Sequence, residues 1–366
     1  MKIGIDLGSY FIKASRLSLE GFPMAIQDGF TKLNYSLNCV EKVENGFLVG
    51  YDFVAAASPQ KLNLVLTDAP QEVCFTDQAS APWPIETLLA LILKKIKADI
   101  DTTRVESVNF AVPMGLNEVQ KKVFYDAALL ANITQSSLIE TPLAAIAYHK
   151  IQHLNTVLVI DWGYSGLKIT AVRKQKDTYQ IVKHQEVKNI GGNIFTQKLA
   201  DIVLDNFEKR FGYALSQFKD KAAKIAEDLK IELSVSEYAS QDIIIDGELV
   251  NITMYRQAFE ASIKTDLDAG VEAIKKMIDE SGYSSTQIEA VVLAGGCVST
   301  PCVKRRLKAT FTEIKKWYDN EPLLAIAMGA SVFDDNNIPQ KNVASNTPEF
   351  SQQQNLVKNT AVNGLI

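Results

Sequence analysis

Residues 156–174 read TVLVIDWGYSGLKITAVRK and repeat, in type and order, the opening stretch 1–18, MKIGIDLGSYFIKASRLS. Each stretch is a short apolar run ending in an aspartate, Asp6 or Asp161, followed by a glycine-bearing turn and a second run. Two extended runs split by a small polar turn read as a β-hairpin with an exposed tip. Either aspartate alone is as readily a turn residue as a functional one. The repeat is the more informative observation. Two similar halves, each presenting an acidic hairpin, can face each other across a cleft and clamp one ligand from both sides.

Length points the same way. A single core stops growing near ~250–300 residues, so a chain of 366 residues is expected to form two lobes. Residues 1–150 make the first and 151–335 the second. From 336 to 366 the composition turns to Asn, Gln, Ser, Thr and Pro and predicts a flexible tail. Apolar residues at 47% and charged residues at 22% are those of an ordinary folded protein. A net charge of −5 argues against a nucleic-acid surface, which needs a basic excess. Cys39, Cys74, Cys297 and Cys302 lack paired-ligand spacing, and His149, His153 and His184 form no ligand set, so no zinc site is expected. The first residues carry no apolar export segment and no run is long enough to span a bilayer. A cytoplasmic, membrane-free protein is expected.

Periodicity places helices over 85–100, 116–131, 143–151, 195–212, 215–233 and 256–281, with the lysines of the first on its outer face, and strands over 105–113, 136–140, 242–245 and 290–294. Phosphates need backbone N–H groups aimed at them without side chains in the way, so glycine turns after strands make phosphate cradles. Gly8-Ser9 and Gly163-Tyr164-Ser165-Gly166 qualify. Asp6 and Asp161 would repel a phosphate directly, but can hold a hydrated magnesium ion that bridges its oxygens. Glu140, at a strand end before Thr141-Pro142, is placed to orient an attacking water. Gly295-Gly296 after the strand 290–294 either lets a nucleoside lie flat on the backbone or makes a tight strand-to-helix turn.

The order of these segments resembles that of the actin, sugar-kinase and heat-shock ATPase superfamily. IDLGS (5–9) stands as first phosphate segment, LIETPLAAIAY (138–148) as first connecting helix, VIDWGYSG (159–166) as second phosphate segment, VVLAGGCVSTP (291–301) as adenosine segment and EPLLAIAMGASV (321–332) as second connecting helix. Within it the chain looks most like the nucleotide-binding domain of the DnaK-type 70-kDa heat-shock chaperones, on AVPMGLNEVQKKVFYDAALLA (111–131), GGNIFTQKLAD (191–201) and AEDLKIELSVS (226–236). The resemblance implies an α/β, two-lobed actin-like ATPase fold, two ribonuclease H-like domains around a nucleotide cleft, with the second connecting helix returning to the first lobe. It implies ATP or ADP with Mg2+ as cofactors. Gly8, Ser9 and Tyr10 fall on the first phosphate loop, and Gly163, Tyr164 and Ser165 on the second. Asp6, Asp161 and Glu140 fall on the magnesium and water-organising positions. Glu227, Lys230 and Ser234 fall on the helix that reaches ribose and adenine, and Gly191, Gly192, Gly295 and Gly296 on backbone contacts to the nucleotide. Pro113 and Lys121 match an interdomain switch and relay.

Departures accompany the match. Lys168 stands where the family has a carboxylate, and Ile231 and Ser299 replace the two arginines that sandwich adenine. The first-lobe lysine that meets the phosphates has no counterpart around 64–70, where only Lys61 is near, and the stretch 50–84 is shorter than in typical chaperones. The function implied is an ATP-dependent conformational switch with slow hydrolysis, read by a protein partner in trans because no peptide-binding domain follows. A bacterial actin-like filament subunit and a nucleotide-held scaffold are the alternatives; a sugar kinase would need an acceptor-site carboxylate that the sequence does not display.

Overall fold

The computed structural model describes residues 1–43, 46–50, 62–63, 72–73, 83–100, 104–176, 178–211, 218–245 and 247–333. The expected tail, Cys74, Lys61, the stretch 64–70 and the start of the 215–233 helix lie outside these residues, as does most of the shortened stretch 50–84. The chain divides into two units, one holding Met1–His153 and the chain from Leu324, the other Leu154–Leu323.

In the first unit, β1 (Lys2–Leu7) and β2 (Phe11–Leu17) form the expected hairpin, joined by β3 (Pro23–Ala25) and β4 (Ser36–Leu37) on β2. A small sheet follows from β5 (Cys39–Val43), β6 (Gly46–Val49) and β7 (Leu62–Asn63), and a pair from β8 (Glu72–Val73) and β9 (Trp83–Pro84). Helix α1 (Ile85–Asp99), strand β10 (Ser107–Val112), helix α2 (Glu118–Leu130), strand β11 (Gln135–Glu140) and helix α3 (Thr141–Tyr148) complete the run. The main sheet runs β11-β10-β1-β2-β3, with β1, β10 and β11 parallel. Asn117 caps α2 by accepting from the Gln120 amide while the Gln120 side chain accepts from the Asn117 amide, a reciprocal capping box that fixes the helix start.

Leu88, Leu89, Ile92 and Leu93 of α1 and Phe124 of α2 pack with Ile3, Ile5 and Phe110 of the sheet in one core. The lysines of α1 do not all face water as their spacing suggested. Lys95 is 6% exposed and is held by Asp28 and Asp99, each at 2.8 Å. A buried cation is tolerated only when paired this way.

The second unit repeats the scheme. Strand β12 (Thr156–Trp162) pairs antiparallel with β13 (Gly166–Gln175), which pairs with β14 (Thr178–Lys188). Helices α4 (Gly192–Phe211) and α5 (Lys219–Leu233) follow, then the hairpin β15 (Tyr238–Ile245) and β16 (Glu248–Tyr255). The helix expected over 256–281 is two helices, α6 (Arg256–Ser262) and α7 (Lys264–Glu280). The Ser262 hydroxyl donates to the Phe259 carbonyl at 2.7 Å, and such back-bonding bends a helix. Strand β17 (Ala290–Ala294), helix α8 (Pro301–Thr310) and strand β18 (Lys316–Tyr318) close the unit, with sheet order β14-β13-β12-β17-β18. Both sheets thus consist of an antiparallel hairpin whose first strand carries two further parallel strands on its other side.

The chain ends its described course with helix α9 (Ala325–Val332), which packs on α3, β1 and β2 in the first unit. Its small residues permit backbone contact: a Cβ on Gly329 would lie 1.7 Å from the Ala144 carbonyl oxygen. Asn109 and Lys2 both donate to the Phe333 carbonyl where α9 ends. Gly329→Ala is therefore expected to lower stability by about 1–3 kcal/mol or more, measured as a fall in the midpoint of urea unfolding.

Candidate functional site

In the first unit Asp6 and Glu140 stand at the C-terminal ends of β1 and β11, on either side of β10. Open α/β sheets bind ligands at this end of the parallel strands. The hairpin tip Gly8-Ser9-Tyr10 lies beside them, half-buried. Asn38 anchors that tip, its side-chain amide donating to the Gly8 carbonyl at 2.7 Å and its backbone amide to the Tyr10 carbonyl at 2.8 Å. Asp6 does not present an open carboxylate. Lys13 faces it across the ladder, and Lys13 Nζ lies 2.7 Å from Asp6 Oδ2, with both side chains 9% exposed. Burial pushes the Glu140 carboxyl up from its ordinary range, and the nearby Lys121 ammonium only partly offsets this.

In the second unit the turn after β12 is closed by Gly163 N–H donating to the Gly166 carbonyl at 2.9 Å, and the Trp162 indole donates to the Ile190 carbonyl at 2.7 Å. Tyr164 is half-buried and Ser165 exposed at the tip. The pair Gly191-Gly192 is brought onto this turn. The Gly192 amide donates to the Gly163 carbonyl and the Asn193 amide to the Tyr164 carbonyl. The Gly192 amide thus seats α4 against the turn.

Gly295 follows β17 with φ +87, and a Cβ there would lie 2.4 Å from the Trp162 carbonyl oxygen and 2.6 Å from Asp161 Oδ1. Only glycine brings this segment so close to the second aspartate. Gly296 opens the following turn and is exposed. The adjacent Cys297 thiol donates to the Gly163 carbonyl at 3.2 Å, and burial pushes its pKa up to about 12, so it stays protonated.

Helix α5 supplies Glu227 and Lys230. Lys230 donates to Glu227 Oε2 and Thr196 Oγ1, both at 2.7 Å, and to the Gly192 carbonyl at 3.2 Å. Its ammonium stands 5.9 Å from the Tyr164 ring centroid, and burial, then Glu227, raises the Tyr164 phenol. Ser234, by contrast, caps the end of α5, its hydroxyl donating to the Lys230 carbonyl.

The structure thus gathers Asp161, Gly163, Tyr164, Gly191, Gly192, Glu227, Lys230 and Gly295 into one cluster, and Asp6, Gly8, Ser9 and Tyr10 around one hairpin, with Glu140 two strands away. Sequence reasoning missed Lys13, Asn38, Thr196 and Cys297. Lys13 was signalled by its spacing: Asp6 and Lys13, and Asp161 and Lys168, stand opposite each other at the same place in their hairpins. The glycine-lined turns fit a polyphosphate. Asp6 and Asp161 are the residues that would hold a hydrated magnesium ion, each facing a lysine, Lys13 or Lys168, across its hairpin. Among the described residues no three His, Cys, Asp or Glu side chains converge to hold a metal ion, and no helix is long and apolar enough to cross a membrane.

Comparison with known proteins agrees with this architecture. The family described as Hsp70 protein matches residues 61–345. The chain is 27% identical over 272 residues to chaperone protein dnaK1 of Prochlorococcus marinus, covering 70% of this chain and 40% of that protein. It is 26% identical over 297 residues to heat shock 70 kDa protein 14 of Xenopus tropicalis, covering 76% of this chain and 58% of that protein. The chain belongs to the Hsp70 family, and its α/β, actin-like ATPase fold is that of the family's nucleotide-binding domain. It spans about half the length of these relatives.

Two outcomes follow from the charges. Because the folded protein holds the Glu140 proton more tightly than the ordinary value of 4.5, stability from this group is full below that pH and is lost as pH rises through the elevated value. Glu140→Gln should flatten that fall in urea titrations taken from acidic to neutral pH. Lys230→Met leaves Glu227 buried and unpaired and should cost about 3–5 kcal/mol; the double variant Lys230→Met/Glu227→Leu should recover most of the loss in the same assay.

Proposed function

We propose that this chain is an ATP-binding, chaperone-like conformational switch that hydrolyses ATP slowly and is read by a protein partner in trans. The observation that carries the reading is the acidic, glycine-turned hairpin found once in each unit of an Hsp70-family fold. Gly8, Ser9 and Tyr10 would hold phosphate in the first unit, and Gly163, Tyr164 and Ser165 in the second. Gly295 and Gly296 would accept the nucleoside, with Glu227 and Lys230 beside it and Gly191-Gly192 setting the floor. Bound magnesium would supply charge to the phosphates, with Asp6 and Asp161 as the residues that would hold its water shell. Glu140 would orient the attacking water.

Slow turnover is favoured by one feature: Lys168 stands opposite Asp161, where the family has a carboxylate.

The expected result is that ATP with magnesium at 100 times its dissociation constant stabilises the protein by about 2.7 kcal/mol, with slow phosphate release in the same samples. Asp161→Ala should show a smaller thermal shift and less phosphate. Stabilisation without any release would make the chain a nucleotide-held scaffold, and no stabilisation of wild type would remove the nucleotide reading.

A further inference from the structure

We infer that Tyr164 is the selectivity residue of the second-unit cradle: its ring stands in the room beside Glu227 and Lys230 where a nucleoside would lie, so that a nucleotide is admitted only when the ring turns aside. The inference rests on the nucleotide reading above and deepens it by naming the side chain that controls entry to the site.

A phosphate cradle works because glycine keeps side chains out of the way, and the turn after β12 departs from that rule. In Gly163-Tyr164-Ser165-Gly166 the serine is exposed at the tip, whereas the tyrosine is half-buried. The backbone of Tyr164 is pinned. Its carbonyl accepts from the Asn193 amide at 2.9 Å, and a Cβ on Gly191 would lie 2.3 Å from the same carbonyl oxygen, so the start of α4 closes directly on the turn. What remains free to move is the side chain, by rotation about χ1 and χ2.

The direction of the ring is given by its neighbours. The Lys230 ammonium stands 5.9 Å from the ring centroid, and burial, then the Glu227 carboxylate, raises the phenol. A Cβ on Gly192 would meet Tyr164 Cα, Lys230 Nζ and Cys297 Sγ, each at 3.4 Å, so the turn, α5 and the loop after β17 converge on this glycine. The α5 side chains cannot give way to a ligand. Lys230 is held by Glu227 and Thr196, both at 2.7 Å, and Glu227 and Thr196 are themselves buried. The tyrosine ring is therefore the part that yields. Attraction between the ammonium and the aromatic face favours the inward position about three- to thirtyfold. Apparent affinity falls by the fraction of molecules in which the site is open, and removing the ring should restore that factor.

The test is a calorimetric titration of the full chain with ATP and magnesium, and separately with adenosine. Tyr164→Ala and Tyr164→Ser both remove the ring, and urea unfolding identifies which of them is folded. A folded ring-free variant should bind ATP and adenosine about three- to thirtyfold more tightly than wild type, a gain that damage to the fold cannot imitate. Tyr164→Phe keeps the ring and should stay within about twofold of wild type. Binding by the ring-free variant where wild type shows none would uphold the proposal in its strongest form. An unchanged or weaker ATP affinity in the folded ring-free variant would overturn the role of Tyr164 and leave the nucleotide reading standing. A gain for ATP without one for adenosine would also overturn it, since the ring would then bar the phosphates rather than the nucleoside. Absence of ATP binding in wild type and in every variant would remove the nucleotide reading and this proposal with it.

Discussion

A carboxylate and an ammonium locked together on adjacent strands, both 9% exposed, form the constraint around which the first unit is arranged. Neither charge could be buried alone, since the desolvation of an unpaired ion costs several kcal/mol. The rung is possible only because β1 and β2 are in the register that opposes Asp6 to Lys13, and that register is set by the short turn between them. Strand β1 in turn sits at the centre of its sheet, between β2 and β10. A slip of one residue would carry Asp6 and Lys13 to the other face and bring Ile5 and Ile12 out of the core.

Close backbone approach is the second organising feature. In the second unit the turn after β12, the start of α4 and the loop after β17 touch through main-chain atoms: Gly192 and Asn193 amides on the Gly163 and Tyr164 carbonyls, and Gly295 against Trp162 and Asp161. Main-chain contacts leave little freedom for adjustment, so these three segments are positioned by backbone rather than by side chains. The same economy of side chains lets α9 lie on α3 at Gly329, which joins the last described helix to the first unit although it follows the whole of the second in sequence.

Buried ion networks secure the surrounding loops. Lys95 gathers Asp28 and Asp99, while Asp28 itself accepts from the amides of Phe30 and Thr31, so that the loop after β3 is tied to α1. Lys230, Glu227 and Thr196 do the same between α5 and α4. In each case one ammonium satisfies several oxygens from separate elements. Such networks specify position more than they add stability.

Much of this was legible in the amino-acid order. The duplicated hairpin, the strand at Ala290–Ala294 and the glycine turns are local features, readable because apolar periodicity and turn residues act over a few positions. In the second unit Gly163, Tyr164, Ser165, Gly191, Gly192, Gly295 and Gly296 were legible for the same reason, lying on or beside turns, whereas Glu227 and Lys230 lie within α5 and Ser234 at its end and were named only through the family resemblance. What the order of residues left open was decided across the sheet and between helices. Strand β14 is an edge strand with weak apolar alternation, and β18 is three residues long, so neither carries a signal of its own. Lys13 reads as an ordinary strand lysine until its register opposite Asp6 is known, and Lys95 reads as a surface lysine until Asp28 is folded against it. Charges take their meaning from partners distant in sequence, and only the tertiary structure brings those partners together.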